Sequence, residues 1–202
     1  MADNPSSRLI LASQSAARQA LLRRAKVEFE ALPANIDERA IEQSSRLADA
    51  PAVAALLARE KALHISRANP GAYVIGADQT LALGPQIFAK AEDRAQARAQ
   101  LKSMCSRTHD LHSAVAVAKG DQILFESIST ARMTMRPLSD AQVEAYLDLA
   151  GEAVTASVGG YQLEGAGVHL FERIEGDYFT ILGLPLLPLL GFLRGLGLAP
   201  LP

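Results

Sequence analysis

Cysteine and tryptophan are nearly missing from this sequence, and basic residues are not in excess. Cys105 is the only cysteine among 202 residues and there is no tryptophan. A single cysteine excludes an intrachain disulfide and a cysteine metal cluster, and is typical of a reducing compartment. Lysine and arginine number 20 against 22 acidic residues, for a net charge of −2. This balance argues against general nucleic-acid or membrane-surface binding, so we expect a cytoplasmic protein without either partner.

A long uninterrupted apolar run is missing as well. The most apolar stretch, residues 181–198, is broken by Pro185, Pro188 and several glycines. We therefore interpret it as a buried C-terminal helix and its approach, because a membrane span needs a longer run. Residues 1–7 are polar, unlike a signal peptide, and we expect a flexible N-terminal tail there. At this length one substantial core can form, which predicts a single domain over residues 1–202.

Patterns of short strands and helices alternate along the chain. Strands are predicted at 9–12, 26–32, 72–83, 86–88, 111–118, 123–128, 130–135 and 168–174. Helices are predicted at 19–24, from Pro51 onward, and at 93–104, 143–149 and 186–196. Because βα units are mixed with antiparallel hairpins, the order of elements predicts an α/β protein with a mixed β-sheet and flanking helices.

Two serines stand where the first strand turns into the first helix. Ser13 and Ser15 would lie at a helix N-terminus, where free N–H groups and the helix dipole favour an anion such as phosphate. Arg18 in the first turn can add a planar, permanently charged donor group. Taken alone, the pattern favours a simple N-cap over a phosphate site. Both interpretations stay open on these residues.

Several charged residues are candidates for a role in catalysis or binding, and the sequence supports them to different degrees. Asp78 lies in an apolar strand-like run, where a carboxylate is costly to bury without a partner or a metal. It is the first candidate for a functional acid, with a structural aspartate bonded to turn amides as the alternative. Glu38 is explained better by an acidic helix start than by a cation ligand. Lys61 lies on an amphipathic helix and by itself indicates little.

A series of short motifs, each weak alone, occurs in an order and spacing that resembles the Maf family of nucleoside triphosphate pyrophosphatases. The resemblance covers nearly the whole chain. The motifs are Ala12–Arg18, Ile36–Glu38, Ala58–Ala62, Val74–Asp78, Lys90, Ser106–His109, Gly160–Tyr161, Glu164–Gly165 and Gly183–Leu186.

The resemblance implies a fold, an activity and partners. The implied fold is an elongated mixed sheet with flanking helices and two lobes around a nucleotide-binding cleft, similar to inosine triphosphate pyrophosphatases. The implied reaction is hydrolysis of a nucleoside triphosphate to a monophosphate and pyrophosphate with a divalent cation, Mg²⁺ or Mn²⁺. Members are often dimeric, so we expect a homodimer, and the family's historical name is associated with septum formation.

The resemblance also implies roles for individual residues. Asp78 matches the general base, and Glu38 matches its partner in holding the divalent cation. Positions that match the triphosphate contacts of the family are Ser13, Ser15, Arg18, Lys61 and Lys90. The residue types suit the reaction, because hydrolysis needs a positioned water, a base for its proton and positive charge near the developing oxygen charge.

Departures from the common family pattern concern the nucleobase. Gln79 and Glu164 stand where threonine and glutamine go with dTTP and UTP, and they resemble the branch associated with 7-methyl-GTP. A carboxylate accepts from the N–H donors of a guanine edge and favours a positively charged methylated ring. It repels the O4 acceptor of thymine or uracil. We therefore interpret Gln79 and Glu164 as substrate-binding residues that set specificity.

Three substitutions keep alternatives open. That branch tends to have tryptophan where this chain has Ala17, so a cation–π contact there is excluded and Ala17 becomes a third specificity position. Ala89 and Ala91 flank Lys90 in place of the usual glycine and proline. The alternatives are a dTTP/UTP pyrophosphatase, an inosine triphosphate-type enzyme, or a non-catalytic nucleotide-binding regulator of cell division.

Overall fold

The computed structural model describes residues 8–201, so the tail expected at residues 1–7 lies outside the described residues. The strands in this range are β1 (Leu9–Leu11), β2 (Glu30–Ala31), β3 (Tyr73–Leu83), β4 (Gln86–Phe88), β5 (Thr108–Lys119), β6 (Gln122–Met135) and β7 (Phe171–Glu175). The helices are α1 (Ala16–Arg24), α2 (Glu38–Ser45), α3 (Ala50–Ala68), α4 (Arg94–Met104), α5 (Asp140–Ala150), α6 (Ala153–Ala156), α7 (Tyr178–Ile181) and α8 (Leu186–Gly195). A 3-10 turn at Ala166–Leu170 precedes β7.

The strands form a mixed sheet, as the sequence predicts. Their order is β2-β1-β3-β5-β6-β7, and β4 pairs with β3 outside this path. β1 runs parallel to β2 and β3, whereas the β3–β4 and β6–β7 pairs are antiparallel. The predicted α/β class with a mixed sheet is therefore confirmed. No helix within residues 8–201 is long and apolar enough to cross a membrane.

The chain divides into two compact units. Unit 1 contains residues up to 79, residues 113–129 and the segment from 178 onward; unit 2 contains residues 80–112 and 130–177. In unit 1, large apolar side chains of β1 and β3 form a core with α1 and α8 that includes Leu11, Leu22, Ile75, Leu189 and Leu193. A second cluster consists only of alanines, three from α3 and three from β5.

Helix α3 packs unusually close to β3 because of Gly76. A Cβ atom at this position would come within 2.1 Å of the Ala58 carbonyl oxygen and 2.6 Å of the Ala62 nitrogen. Small side chains on both surfaces therefore let the helix backbone contact the strand backbone. The close approach places Lys61, which lies on α3, within reach of the Asp78 side chain on β3.

In unit 2, α4 and α5 pack together and α5 begins with a complete capping box. The Ser139 hydroxyl accepts from the Gln142 amide while the Gln142 side chain accepts from the Ser139 amide, as the Ser139–Gln142 pattern predicts. Arg94 pairs with Glu144 at 2.9 Å and Lys102 with Asp140 at 2.8 Å. These pairs are exposed, so they contribute little to stability.

Four predicted strands differ from the observed ones. Of the strand predicted at 26–32 only β2 is observed. The predicted strand cannot begin at Lys26, because this residue has a positive φ of 58° and lies in the turn that follows α1. The strand predicted at 168–174 begins only at Phe171, after the 3-10 turn. The strands predicted at 123–128 and 130–135 are one continuous strand, β6.

Candidate active site

The N-terminus of α1 is capped by serine, as one of the two interpretations predicts. The Ser15 hydroxyl accepts from the Arg18 amide at 3.3 Å, and the Ser13 hydroxyl accepts from the Ser15 amide at 3.2 Å. The helix therefore starts at Ala16, three residues before the predicted start at Gln19. Ser13 is buried. A capped helix N-terminus keeps further free amides and its positive dipole end, so the cap is compatible with an anion site.

Arg18 connects this helix start to two other segments. Its Nε donates to the Gly183 carbonyl at 2.7 Å, and its Nη1 donates to the Ala77 carbonyl at 3.0 Å and to the Ser13 hydroxyl at 3.3 Å. Burial lowers the pKa of Arg18, while the negative charges of Asp78 and Glu38 act in the opposite direction. The guanidinium thus lies at the boundary of α1 and β3, close to both carboxylates.

Lys61 lies between two carboxylates. Its Nζ lies 2.6 Å from Asp78 Oδ1 and 2.8 Å from Glu38 Oε1. Lys61 and Asp78 are buried, whereas the Glu38 side chain is half exposed. Burial raises the pKa of Asp78 above its usual range, although Lys61 and Arg18 oppose this shift. A buried carboxylate with a raised pKa is a candidate general base.

Glu42 also belongs to this group, and the sequence interpretation did not include it. The Asp37 side chain caps α2 by accepting from the Ala40 amide at 3.0 Å, which confirms the acidic helix start. Glu42 lies one turn after Glu38 on that helix. Partial burial and the negative charges of Asp78 and Glu38 raise the pKa of Glu42. The signal that could have found it is its i, i+4 spacing from Glu38.

Gln79 lies next to Asp78 and its amide nitrogen is held by protein acceptors. Its Nε2 lies 3.0 Å from Ser113 Oγ, 3.0 Å from the Thr180 carbonyl and 3.1 Å from the Ile181 carbonyl. A primary amide has two hydrogens, so both are used within unit 1. Ser113 and Thr180 were not identified from the sequence, because their sequence distance from Gln79 gives no local signal.

The remaining predicted site residues are distributed over both units. Ala17 lies in the first turn of α1 in unit 1 and is partly buried. Lys90 is exposed in unit 2, and its backbone forms an isolated antiparallel bridge with Val158. Glu164 is also exposed in unit 2, within the segment 157–167 that follows α6. Unit 1 therefore contains eight of the predicted site residues, namely Ser13, Ser15, Ala17, Arg18, Glu38, Lys61, Asp78 and Gln79.

The carboxylates fit a divalent cation only together with other ligands. Within residues 8–201 no cluster of three or more histidine, cysteine, aspartate or glutamate side chains could hold a metal alone. Asp78 and Glu38 converge on the same ammonium group, at 2.6 and 2.8 Å. Mg²⁺ is commonly held by one or two carboxylates plus substrate phosphates and water. The donor set therefore fits Mg²⁺ or Mn²⁺ brought in with a phosphorylated ligand.

Hydroxyls, cations and converging carboxylates at a helix N-terminus define a site suited to a phosphorylated ligand and a divalent cation. The chain matches the family described as Maf-like protein over residues 8–196, and it belongs to the Maf family.

Relatives of high identity extend over nearly the full length of the chain. It is 62% identical to a nucleoside triphosphate pyrophosphatase of Bradyrhizobium diazoefficiens, over 93% of each chain. It is 58% identical to a protein of the same name from Nitrobacter hamburgensis, over 96% of each chain. A 7-methyl-GTP pyrophosphatase of Rhizobium meliloti is 51% identical, over 94% of this chain and 96% of the relative.

Proposed function

We propose that the protein hydrolyses a nucleoside triphosphate between its α- and β-phosphates, releasing a nucleoside monophosphate and pyrophosphate. The observation that carries this proposal is the buried Lys61–Asp78 contact of 2.6 Å beside Glu38. It places a base, a cation and a second carboxylate together, next to the serine-capped start of α1. The names of relatives at 58–62% identity support the same activity.

In this proposal the phosphates are bound by the segment between β1 and α1. The Ser13 and Ser15 hydroxyls and the first free amides of α1 donate to phosphate oxygens. Arg18 and Lys61 supply positive charge, which stabilises oxygen charge as it develops in the transition state. Arg18 also fixes the Ser13 hydroxyl through its 3.3 Å contact. Lys90 of unit 2 is proposed as a further phosphate contact.

Asp78 is proposed to move the proton. A water oxygen forms a bond to one phosphorus of the α–β anhydride while the bond from that phosphorus to the bridging oxygen breaks. The water proton passes to Asp78, whose pKa is raised by burial. An aspartate whose pKa is raised by burial is a stronger base than an exposed one. Lys61 holds this carboxylate in place.

A divalent cation, Mg²⁺ or Mn²⁺, would be held by Asp78 and Glu38 together with the substrate phosphates. When bound, it neutralises phosphate charge and polarises the phosphoryl oxygens. Lys61 keeps the two carboxylates near each other and adds its positive charge to the same site. Glu42 adds negative charge at the same side of the site.

The preferred base is proposed to be guanine or a modified guanine such as 7-methylguanine. Because both amide hydrogens of Gln79 are used by Ser113, Thr180 and Ile181, only its carbonyl oxygen is left to face a ligand. An acceptor oxygen at Gln79 suits the N–H donors of guanine and not the O4 of thymine or uracil, and the same holds for the carboxylate predicted as a base contact at Glu164. The 51% identical relative named 7-methyl-GTP pyrophosphatase supports this choice.

The activity is tested by pyrophosphate release from a nucleoside triphosphate with Mg²⁺ or Mn²⁺. Wild type should release pyrophosphate, and Asp78→Asn should lose at least 100-fold in kcat, since general-base catalysis contributes about 10²–10⁴-fold. Binding of nucleotide without turnover in the wild type would contradict the enzyme and favour a non-catalytic regulator of cell division.

The base preference is tested by kcat/KM for 7-methyl-GTP, GTP, ITP, dTTP and UTP measured side by side. We expect 7-methyl-GTP or GTP to be preferred, with Glu164→Gln narrowing the gap to UTP. A clear preference for dTTP or UTP would overturn the guanine assignment while leaving the reaction intact. The homodimer, the single domain over residues 1–202, the cytoplasmic location and a link to septum formation stay predictions.

A further inference from the structure

A histidine and a tyrosine of unit 2 form a buried contact that the proposed reaction does not use. His109, on β5, lies with its Nε2 2.7 Å from the Tyr161 hydroxyl. The Tyr161 ring packs edge-on against Phe171 at 4.8 Å between centroids, and His109 lies 5.9 Å from the same ring. His109 is only 1% exposed and Tyr161 5%. The hydrogen bond is therefore shielded from water by aromatic rings.

The surroundings keep both partners neutral. Burial lowers the pKa of His109 to about 4, and burial together with the neighbouring Tyr146 raises the pKa of Tyr161. The Nδ1 of His109 is buried without a hydrogen-bond partner among the described residues. Tyr161 is thus the one polar contact that holds the imidazole, and a neutral hydrogen bond in an apolar environment is stronger than one in water.

Tyr161 is also the anchor of the segment that carries Glu164. Before it, the Ser157 hydroxyl donates to the Tyr161 carbonyl at 2.6 Å, and the Tyr146 hydroxyl donates to the Gly160 carbonyl at 3.0 Å. Each of these bonds holds the backbone next to the Tyr161 side chain. Three hydrogen bonds therefore hold Gly160 and Tyr161 just before the turn that carries Glu164.

After Tyr161 the backbone closes into a tight turn. The amides of Gly165 and Gly167 both donate to the Gln162 carbonyl, at 3.2 and 3.1 Å. A Cβ atom at Gly167 would lie 2.4 Å from that same oxygen, so only glycine permits the closure. Glu164 lies inside this turn with its side chain exposed. Tyr161 holds the beginning of this turn, three residues before Glu164.

We propose that the His109–Tyr161 hydrogen bond is a positioning device that orients the Glu164 turn and thereby sets the base preference of the enzyme. His109 and Tyr161 are positioning residues, since they act through Glu164 and not on the reacting atoms. The inference rests on the proposed function, because it assigns Glu164 to the nucleobase. It accounts for the burial of His109, although its Nδ1 has no hydrogen-bond partner among the described residues.

The test removes only the hydroxyl, with Tyr161→Phe, and compares it with Tyr73→Phe in unit 1 as the matched control. We expect the kcat/KM ratio of the preferred purine triphosphate over UTP to fall about fivefold, as for loss of one hydrogen bond. The fall should come from a raised KM for the preferred substrate, with kcat within about twofold of wild type. His109→Leu should behave alike, and His109→Gln, which keeps a polar group, should recover part of the ratio.

A second measurement does not need turnover. Amide hydrogen exchange of Gly165 and Gly167 in the nucleotide-free protein should accelerate in Tyr161→Phe and remain as in wild type in Tyr73→Phe. Unchanged exchange at both glycines in Tyr161→Phe would overturn the proposal. It would also be overturned if exchange accelerates in Tyr161→Phe but the kcat/KM ratio stays as in wild type, while Glu164→Gln does change that ratio. Failure of the proposed function would look different: wild type would turn over none of the triphosphates, and the exchange contrast would still decide whether the hydrogen bond holds the turn.

Discussion

Lys61 is a single side chain shared by two carboxylates, so its removal should expose their mutual repulsion. With Lys61→Met we expect a loss of about 3 kcal/mol in the free energy of unfolding at neutral pH, because a buried carboxylate loses its counter-charge. The loss should shrink at lower pH, since Asp78 can then take up a proton. Urea denaturation at two pH values measures it. The exposed Lys26, changed to methionine, is the control, and equal losses in the two variants would contradict the assignment.

His109 makes stability depend on pH in a predictable direction. Its pKa is about 4 in the folded protein, whereas an unfolded histidine has a pKa near 6.5. Between these values the unfolded chain binds more protons, so the free energy of unfolding falls as pH decreases. Its share should be about 2 kcal/mol between pH 7 and pH 5. Urea denaturation of wild type and His109→Gln at both pH values isolates it, and parallel pH dependences would argue against it.

At the scale of elements, the approach of α3 to β3 depends on one glycine. Gly76→Ala would place a methyl group 2.1 Å from the Ala58 carbonyl oxygen, so the helix must move away. We expect a loss of about 3 kcal/mol in the free energy of unfolding, and a loss of activity as Lys61 moves with α3. Gly71→Ala, which meets nothing within 4 Å, is the control. A Gly76→Ala protein as stable as that control would contradict the close packing.

Most elements were predictable from the sequence because local signals agree with the final structure. The apolar run before Ser13, the capping box at Ser139 and the long apolar pattern around Asp78 are signals of this kind. The first residues of the strand predicted at 168–174 lie in a 3-10 turn instead, because two glycine amides just before them bond back to the Gln162 carbonyl, and this overrides the alternating pattern. The prediction divided β6 at Ser129, although serine is compatible with a strand and no glycine or proline stands there to end it.

At the scale of the whole chain, the candidate site was only partly predictable. Ser13, Arg18 and Asp78 lie in local patterns that suggest their chemistry. The convergence of Lys61 on Asp78 and Glu38 is produced by packing of α3 against β3, which no local pattern shows. The amide contacts of Gln79 with Ser113 and Thr180 likewise depend on segments far apart in sequence. Resemblance to a family supplied what periodicity could not.

Ligand and metal should stabilise the whole protein together. A non-hydrolysable α,β-methylene analogue of GTP at about 100 times its Kd, with Mg²⁺, should add about 2.7 kcal/mol to the free energy of unfolding. For a chain of this size that raises Tm by about 5–10 °C. Because the proposal has Asp78 and Glu38 share the cation with the phosphates, EDTA should remove most of the shift, and Glu38→Gln should weaken it. Thermal unfolding with Mg²⁺ alone is the control, since two carboxylates without phosphates should bind the cation weakly. A shift that persists undiminished in EDTA would show that the phosphates are held by the serines and cations without a metal.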